Sequence, residues 1–201
     1  MDQSNVNKIF CSTGAIGYYP VNPDADLMLD VFPRITADGY EVMIDRALPL
    51  NAVAWSGRLR EAGIPVGMMH IGKATGELFA TDDPDSHAAG LRKLASDLDI
   101  VRLFGARQAV LHLWGYPGND RHFERTMASL EDALLLAEDA GVELLVETIP
   151  CVERPLADRL RTLHDAFPAL RFTVDSRLLA LQDAIESVLE TDWLWDRGRV
   201  A

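Results

Sequence analysis

Hydrophobic residues in this chain gather into six short runs of strand length, each bounded by turn formers: Lys8–Ile16, Gly39–Asp45, Pro65–Ile71, Ala109–Trp114, Glu143–Ile149 and Arg171–Leu178. Several, such as VLHLW and ELLVETI, are apolar at consecutive positions, which favours parallel strands covered by helices on their outer face. The longer stretches between them repeat with helical spacing. In Phe123–Ala140, Phe123, Met127, Leu130, Leu134 and Ala137 recur at intervals of three and four, while Glu124, Arg125, Glu131 and Glu138 fall elsewhere, and Gly141 ends the pattern. A second helix is expected from Ser86, placed as a cap, to Phe104, ending at Gly105. Others are expected near Asp24–Phe32, Ala52–Ala62, Leu156–Ala166 and Ala180–Leu189, with Pro155 set for a first turn. Strand starts lie 26–44 residues apart, the spacing of right-handed β-α-β units. Residues 1–201 therefore read as a single domain.

Two architectures use such a repeat, a closed β/α barrel and an open doubly wound sheet. The open sheet advertises a glycine-rich phosphate turn after its first strand, and Gly14-Ala-Ile-Gly17 is not that fingerprint. The near match to a phosphate loop, Gly67-Met-Met-His-Ile-Gly72-Lys73-Ala74, has strand formers inside it and Ala74 in place of the magnesium-binding hydroxyl. The expected fold is therefore α/β, a parallel TIM-type barrel of about six βα units and the start of a seventh. That count leaves the last one or two units of an eight-stranded barrel without chain, so an incomplete or atypical closure is expected.

Charge narrows the partners. The 201 residues include 19 Lys plus Arg and 31 Asp plus Glu, for a net charge of −12, which opposes attraction to nucleic acid or anionic membranes. No apolar run approaches membrane-spanning length, and MDQSNVNK is not the basic, then apolar start of a signal peptide, so a cytoplasmic location is expected. The two cysteines, Cys11 and Cys151, are too few for a disulfide framework and too far apart for a zinc motif, and read as free thiols.

Four successive apolar runs end in polar residues: His70 after VGMM, His112 after AVL, Glu147 after LLV and Asp175 after FTV. In a parallel barrel these ends converge on one face, where catalytic residues gather. Histidine and carboxylate ligands suit a divalent metal such as Zn²⁺ or Mn²⁺, and a carboxylate pair alone suits proton transfer. Either histidine singly reads first as a hydrogen-bonded structural residue. A carboxylate inside a barrel must be paired, bound to metal or protonated, and Arg177 and Lys73 are available as plain structural partners.

The series Phe10-Cys-Ser-Thr-Gly14, Asp38-Gly39-Tyr40-Glu41, Met69-His70, Val110-Leu111-His112-Leu113, Leu145-Val146-Glu147-Thr148 and Phe172-Thr173-Val174-Asp175 resembles the xylose-isomerase-like barrel superfamily, which holds sugar and sugar-phosphate isomerases and epimerases and endonuclease IV. The resemblance implies a metal-assisted proton transfer next to a carbonyl of a small sugar-like substrate. It assigns Glu147 and Asp175 as metal ligands and Glu147, His70 and His112 as catalytic residues. It places His70 and His112 on substrate oxygens, and the implied cofactor is a divalent ion (Mn, Zn, Mg or Co); Trp114, Lys73 and Arg177 are further candidate substrate contacts read from their positions near the strand ends. His70 and His112 match strand-end histidines that bind metal in the endonuclease branch and contact substrate in isomerases. The family's histidine three residues after Asp175 is Leu178 here, and its seventh-strand His and eighth-strand Glu fall beyond Ala201. Two carboxylates alone bind a divalent ion weakly.

Two other functions follow from those departures. One is a non-catalytic binding or assembly module on a degraded barrel; the other is an endonuclease IV-like phosphodiester hydrolase, which the acidic charge disfavours. Exposed barrel edges predict association between copies. The segment 72–85 reads as a lid or as a solvated approach to the next helix. Trp114 and Tyr116, like Tyr18 and Tyr19, suit either a flat face for a sugar ring or packing, and Trp193 and Trp195 read as core for the missing units.

Overall fold

The computed structural model describes residues 8–17, 24–45, 47–196 and 198–201. Tyr18 and Tyr19, expected on the first βα loop, lie outside the described residues. Six strands, β1 (Phe10–Ser12), β2 (Gly39–Met43), β3 (Val66–His70), β4 (Gln108–Leu111), β5 (Glu143–Glu147) and β6 (Arg171–Thr173), form one sheet in sequence order. Every neighbouring pair is parallel. Helices α1 (Thr13–Ile16), α2 (Ala25–Val31), α3 (Leu48–Glu61), α4 (Ala74–Phe79), α5 (Pro84–Leu103), α6 (Phe123–Asp139), α7 (Leu156–Ala166), α8 (Ser176–Leu181) and α9 (Ile185–Leu189) connect them. The sheet is not closed, since β1 and β6 are not paired with each other. Beyond β6, Phe172 N–H donates to Arg199 O and Ala201 N–H to Phe172 O, so Phe172 and Val200 form a parallel bridge where a seventh strand would begin.

The strand register sorts the sheet into two faces. Glu41 pairs with Met68, which pairs with Gln108 and then Glu143; Met43, His70, Val110, Leu145 and Arg171 form the next row, and Glu147 pairs with Thr173. Side chains alternate along a strand, so these rows share one face, and Tyr40, Val42, Met69, Ala109, Leu111, Val146 and Phe172 share the other. That second set is buried with Leu59, Leu94, Leu98, Leu130, Leu160 and Leu163 from the helices. Each of the large side chains among them contributes about 1.5–3 kcal/mol by leaving water. On α6 the buried residues Phe123, Thr126, Leu130, Ala133 and Ala137 follow the predicted three-four spacing, with Met127 and Leu134 partly buried at its margins.

Gly105 and Gly141 end α5 and α6 as expected, with φ of 76° and 69°. In both, the N–H of the following residue reaches back to the helix, Ala106 to Val101 O and Val142 to Ala137 O, a closure that needs a left-handed residue.

Local hydrogen bonds revise several boundaries. Asp83 caps α5 in place of Ser86, whose hydroxyl instead donates to the Asp83 carboxylate. The run expected to be strand through Leu178 ends at Thr173, because Asp175 Oδ1 accepts from Arg177 and Leu178 N–H and starts α8. The helix expected over Ala180–Leu189 is two helices, interrupted where Asp183 takes φ 54°. The segment 72–85 contains α4, with Thr75, Gly76 and Phe79 buried against its neighbours. Trp193 has partners within this chain. It stacks on His164 at 4.5 Å between ring centroids, meets Phe172 edge-on and lies under Arg161, while Trp195 remains largely exposed.

Candidate functional site

The polar strand ends converge as the alternation requires. His70 ends β3, Glu147 ends β5, and His112 stands one residue past β4, in line with Gln108 and Val110. All three are buried, with 6%, 6% and 4% of their surface exposed for His70, His112 and Glu147. One ligand-capable atom from each lies within 4.8 Å of the other two. They border a cavity of about 530 Å³, which Ser12, Glu41, Thr173 and Asp175 also line.

Glu41, which the sequence pattern does not single out, holds His70. Its Oε1 lies 2.5 Å from His70 Nε2. Burial by itself would raise the Glu41 carboxyl, but the His70 hydrogen bond and charge, with help from Ser12, outweigh it and hold the group below the usual carboxylate range. With Nε2 engaged by Glu41, Nδ1 of His70 is a buried atom with no hydrogen-bond partner among the described residues. Glu147 Oε2 is in close carboxylate–imidazole contact with His112 Nε2, and Thr173 Oγ1 is buried with no hydrogen-bond partner among the described residues. An unpaired buried polar atom costs about 1–3 kcal/mol, so several beside one cavity identify groups built to meet something else. Two imidazoles and a carboxylate are a donor set that zinc takes in catalytic sites, with a further position left for water or substrate. The residues present therefore fit a divalent ion, and a carboxylate behind a ligating histidine is the usual supporting arrangement.

The other expected site residues fall in different places. Asp175 lines the cavity, but its Oδ1 caps α8 and Oδ2 lies 4.0 Å from Arg177, so it stands outside the His70–His112–Glu147 group. Arg177, with 82% of its side chain exposed, and Lys73, 5.9 Å over the exposed Tyr116 ring, are at the rim. Trp114 is not at the cavity, which corrects its expected role as a sugar platform: it is completely buried, packs edge-on against Phe123 and donates Nε1–H to Pro150 O. Leu178 contributes an apolar wall where the resembling family has histidine. Cys11 and Cys151 are free, half-buried thiols; burial, with the Asp120 charge adding to it, pushes Cys151 up to about 12.

No protein-family model matches the sequence, and no curated protein matches it. Solved structures do match the fold. The 3-keto-D-glucoside 4-epimerase YcjR from E. coli, in its apo form, superposes with a TM-score of 0.68 at 14% identity, covering 92% of this chain and 74% of its own. A protein from Thermus thermophilus, soaked with ZnCl₂, matches at 26% identity and a TM-score of 0.60, over 78% of this chain and 65% of its own. D-allulose 3-epimerase from Methylomonas sp., in complex with D-allulose, matches at 16% identity and 0.65, over 88% and 66%. This chain thus spans from about two thirds to three quarters of the length of these three structures. Its fold matches that of these structures, a parallel α/β arrangement of TIM-barrel type, with the sheet open. Among the described residues no helix is long and apolar enough to cross a membrane.

Proposed function

We propose that this chain carries the ion-binding and substrate-facing strand ends of a sugar or keto-sugar isomerase or epimerase, acting by proton transfer at a carbon next to a carbonyl. The observation that carries the proposal is the buried His70–His112–Glu147 group opening on a cavity of about 530 Å³, within the range of small-molecule sites. His70, His112 and Glu147 would hold the ion, with Asp175 at the edge of the group. A divalent cation there supplies a Lewis acid for a carbonyl or hydroxyl oxygen. Glu41, ionised and on the same sheet face, orients His70. Glu147 and Glu41, two of the three carboxylates in the cavity wall, are placed beside the histidines where they can hold or accept the migrating proton. Lys73 and Arg177 at the rim are donors for substrate oxygens. Of the two epimerases of like fold, one is named for a 3-keto-D-glucoside and the other holds D-allulose, which supports the substrate class.

The His–His–Glu set also suits phosphodiester hydrolysis. The same cavity presents three carboxylates, Glu41, Glu147 and Asp175, to two cations, Lys73 and Arg177, and the chain carries −12, so a polyanionic substrate is the poorer fit.

The test is solvent-deuterium incorporation. Protein supplied with Zn²⁺ or Mn²⁺ is incubated in D₂O with D-allulose, D-fructose, D-tagatose and L-ribulose, and the ketoses are read by proton NMR. Loss of the proton at the carbon beside the carbonyl in wild type, absent in Glu147→Gln, is expected. No exchange in any ketose contradicts the proposal, and cleavage of an abasic-site duplex would replace it with the nuclease reading.

A further inference from the structure

Asp120 lies in the loop that follows His112, within a 3-10 turn (Asn119–His122), and is completely buried. A carboxylate with no exposed surface costs several kcal/mol unless it is fully bonded, so its partners show what it is there to hold. Its Oδ1 accepts from Val152 N–H and its Oδ2 from Glu153 N–H, both at 3.0 Å. Arg159 of α7 completes the pair: its guanidinium is 3.6 Å from Oδ2, donates to Asp120 O at 2.9 Å and lies 4.2 Å over the Phe123 ring.

Val152 and Glu153 belong to the loop that leaves β5 immediately after Glu147. That loop is tied at further points. Trp114 Nε1–H donates to Pro150 O on the His112 side, and on the other side Asp175 N–H donates to Thr148 Oγ1, Thr148 N–H to Thr173 O and Cys151 N–H to Gln182 Oε1. The loop after Glu147 is therefore fixed between the loop after His112 and the turn at Asp175. Within that clamp, among the described residues, Asp120 is the ionisable group whose side chain binds the loop backbone directly.

We propose that Asp120 is a positioning residue, whose carboxylate sets the separation of the His112 and Glu147 side chains by fastening the backbone after Glu147 to the loop after His112. The inference rests on the reading of His70, His112 and Glu147 as an ion-binding group. It assigns the burial of Asp120 to site geometry in addition to stability. Groups bonded directly to ligating side chains carry about 10–100-fold in metal affinity, and Asp120 acts one step further out, through the loop backbone.

Zinc affinity, by competition with a chromophoric chelator, and the visible spectrum of the Co²⁺-loaded protein test it. Both are measured on wild type, Asp120→Asn, Asp120→Ala and Glu147→Gln. Leu59→Ala, a buried α3 residue near the opposite end of the strands, controls for a general loss of stability. Asp120→Asn keeps the side-chain volume and one acceptor, so it carries the test if Asp120→Ala does not fold. The expected result is Zn²⁺ binding weaker by up to about tenfold in Asp120→Asn, with a changed Co²⁺ spectrum, while Leu59→Ala binds like wild type. Wild-type affinity and spectrum in Asp120→Asn overturn the positioning role and leave the ion-binding reading standing. Equal weakening in Leu59→Ala and Asp120→Asn overturns it as well. No difference between wild type and Glu147→Gln removes the ion-binding reading, and this inference with it.

Discussion

Gly76 packs its bare Cα against the carbonyl of His112: a Cβ added there would run into that oxygen and come within 2.6 Å of Gly115 N. Both obstacles are backbone, so neither can rotate away. Helix α4 is thus a rigid support under the loop that carries His112. Gly76→Ala is expected to cost about 1–3 kcal/mol by overpacking, lowering Tm by several degrees, and to weaken Zn²⁺ binding by shifting His112. Thermal melts and a zinc titration of the variant check both effects.

The acid side of the stability profile carries a signature of Glu41. Burial opposes its ionisation, but His70 and Ser12 more than offset it, so the folded-state value lies below the unfolded one. Its contribution is then fully present above the ordinary carboxylate value and is lost as pH falls through the lower folded-state value. Glu41→Gln removes this pH-dependent part. Melts of wild type and variant across the acid range are expected to differ most near neutral pH and to converge as the pH drops.

Asp97 behaves with the opposite sign. It is buried on α5, where Oδ2 accepts from Gly72 N–H at 3.1 Å and both oxygens accept from Lys93 Nζ at 3.0–3.1 Å. Burial pushes its carboxyl up, and Lys93 and the Gly72 N–H reverse only part of the rise. The contribution of this residue is therefore largest below the ordinary carboxylate value and declines as pH rises through the folded-state value. Asp97→Ala strands the Gly72 N–H two residues past His70 and is expected to cost about 1–3 kcal/mol, with the wild-type advantage narrowing from acid to neutral pH. Urea unfolding at several pH values measures it.

Much of this arrangement is legible in the chain because the barrel uses simple periods. Consecutive apolar positions mark strands covered by helices, and each run ends in the polar residue that the register then carries to a common face: His70, His112 and Glu147. Glu41 escapes because a charged residue at an alternate position of GYEVM reads as an ordinary solvent-facing side chain; only the partner strand shows that its face holds His70. Asp120 escapes for a related reason: its burial is created by a loop distant in sequence, around Val152, that no local period encodes, whereas Trp114 takes the packing role that is one of its two readings. Helix α4 reads as loop because six residues are too few to display a helical repeat. Asp175, which the family resemblance offers as a metal ligand, lines the same cavity while its Oδ1 caps α8, a local role that Asp takes wherever free N–H groups follow.

Equilibrium titration of the metal-free protein with Zn²⁺, alongside Glu147→Gln and His112→Ala, tests the ion-binding centre most directly. One tightly held ion per chain in wild type, with affinity reduced about tenfold or more in each variant and a matching loss of the zinc-induced rise in Tm, is the predicted result. Equal affinity in all three proteins, or no binding in wild type, would contradict it.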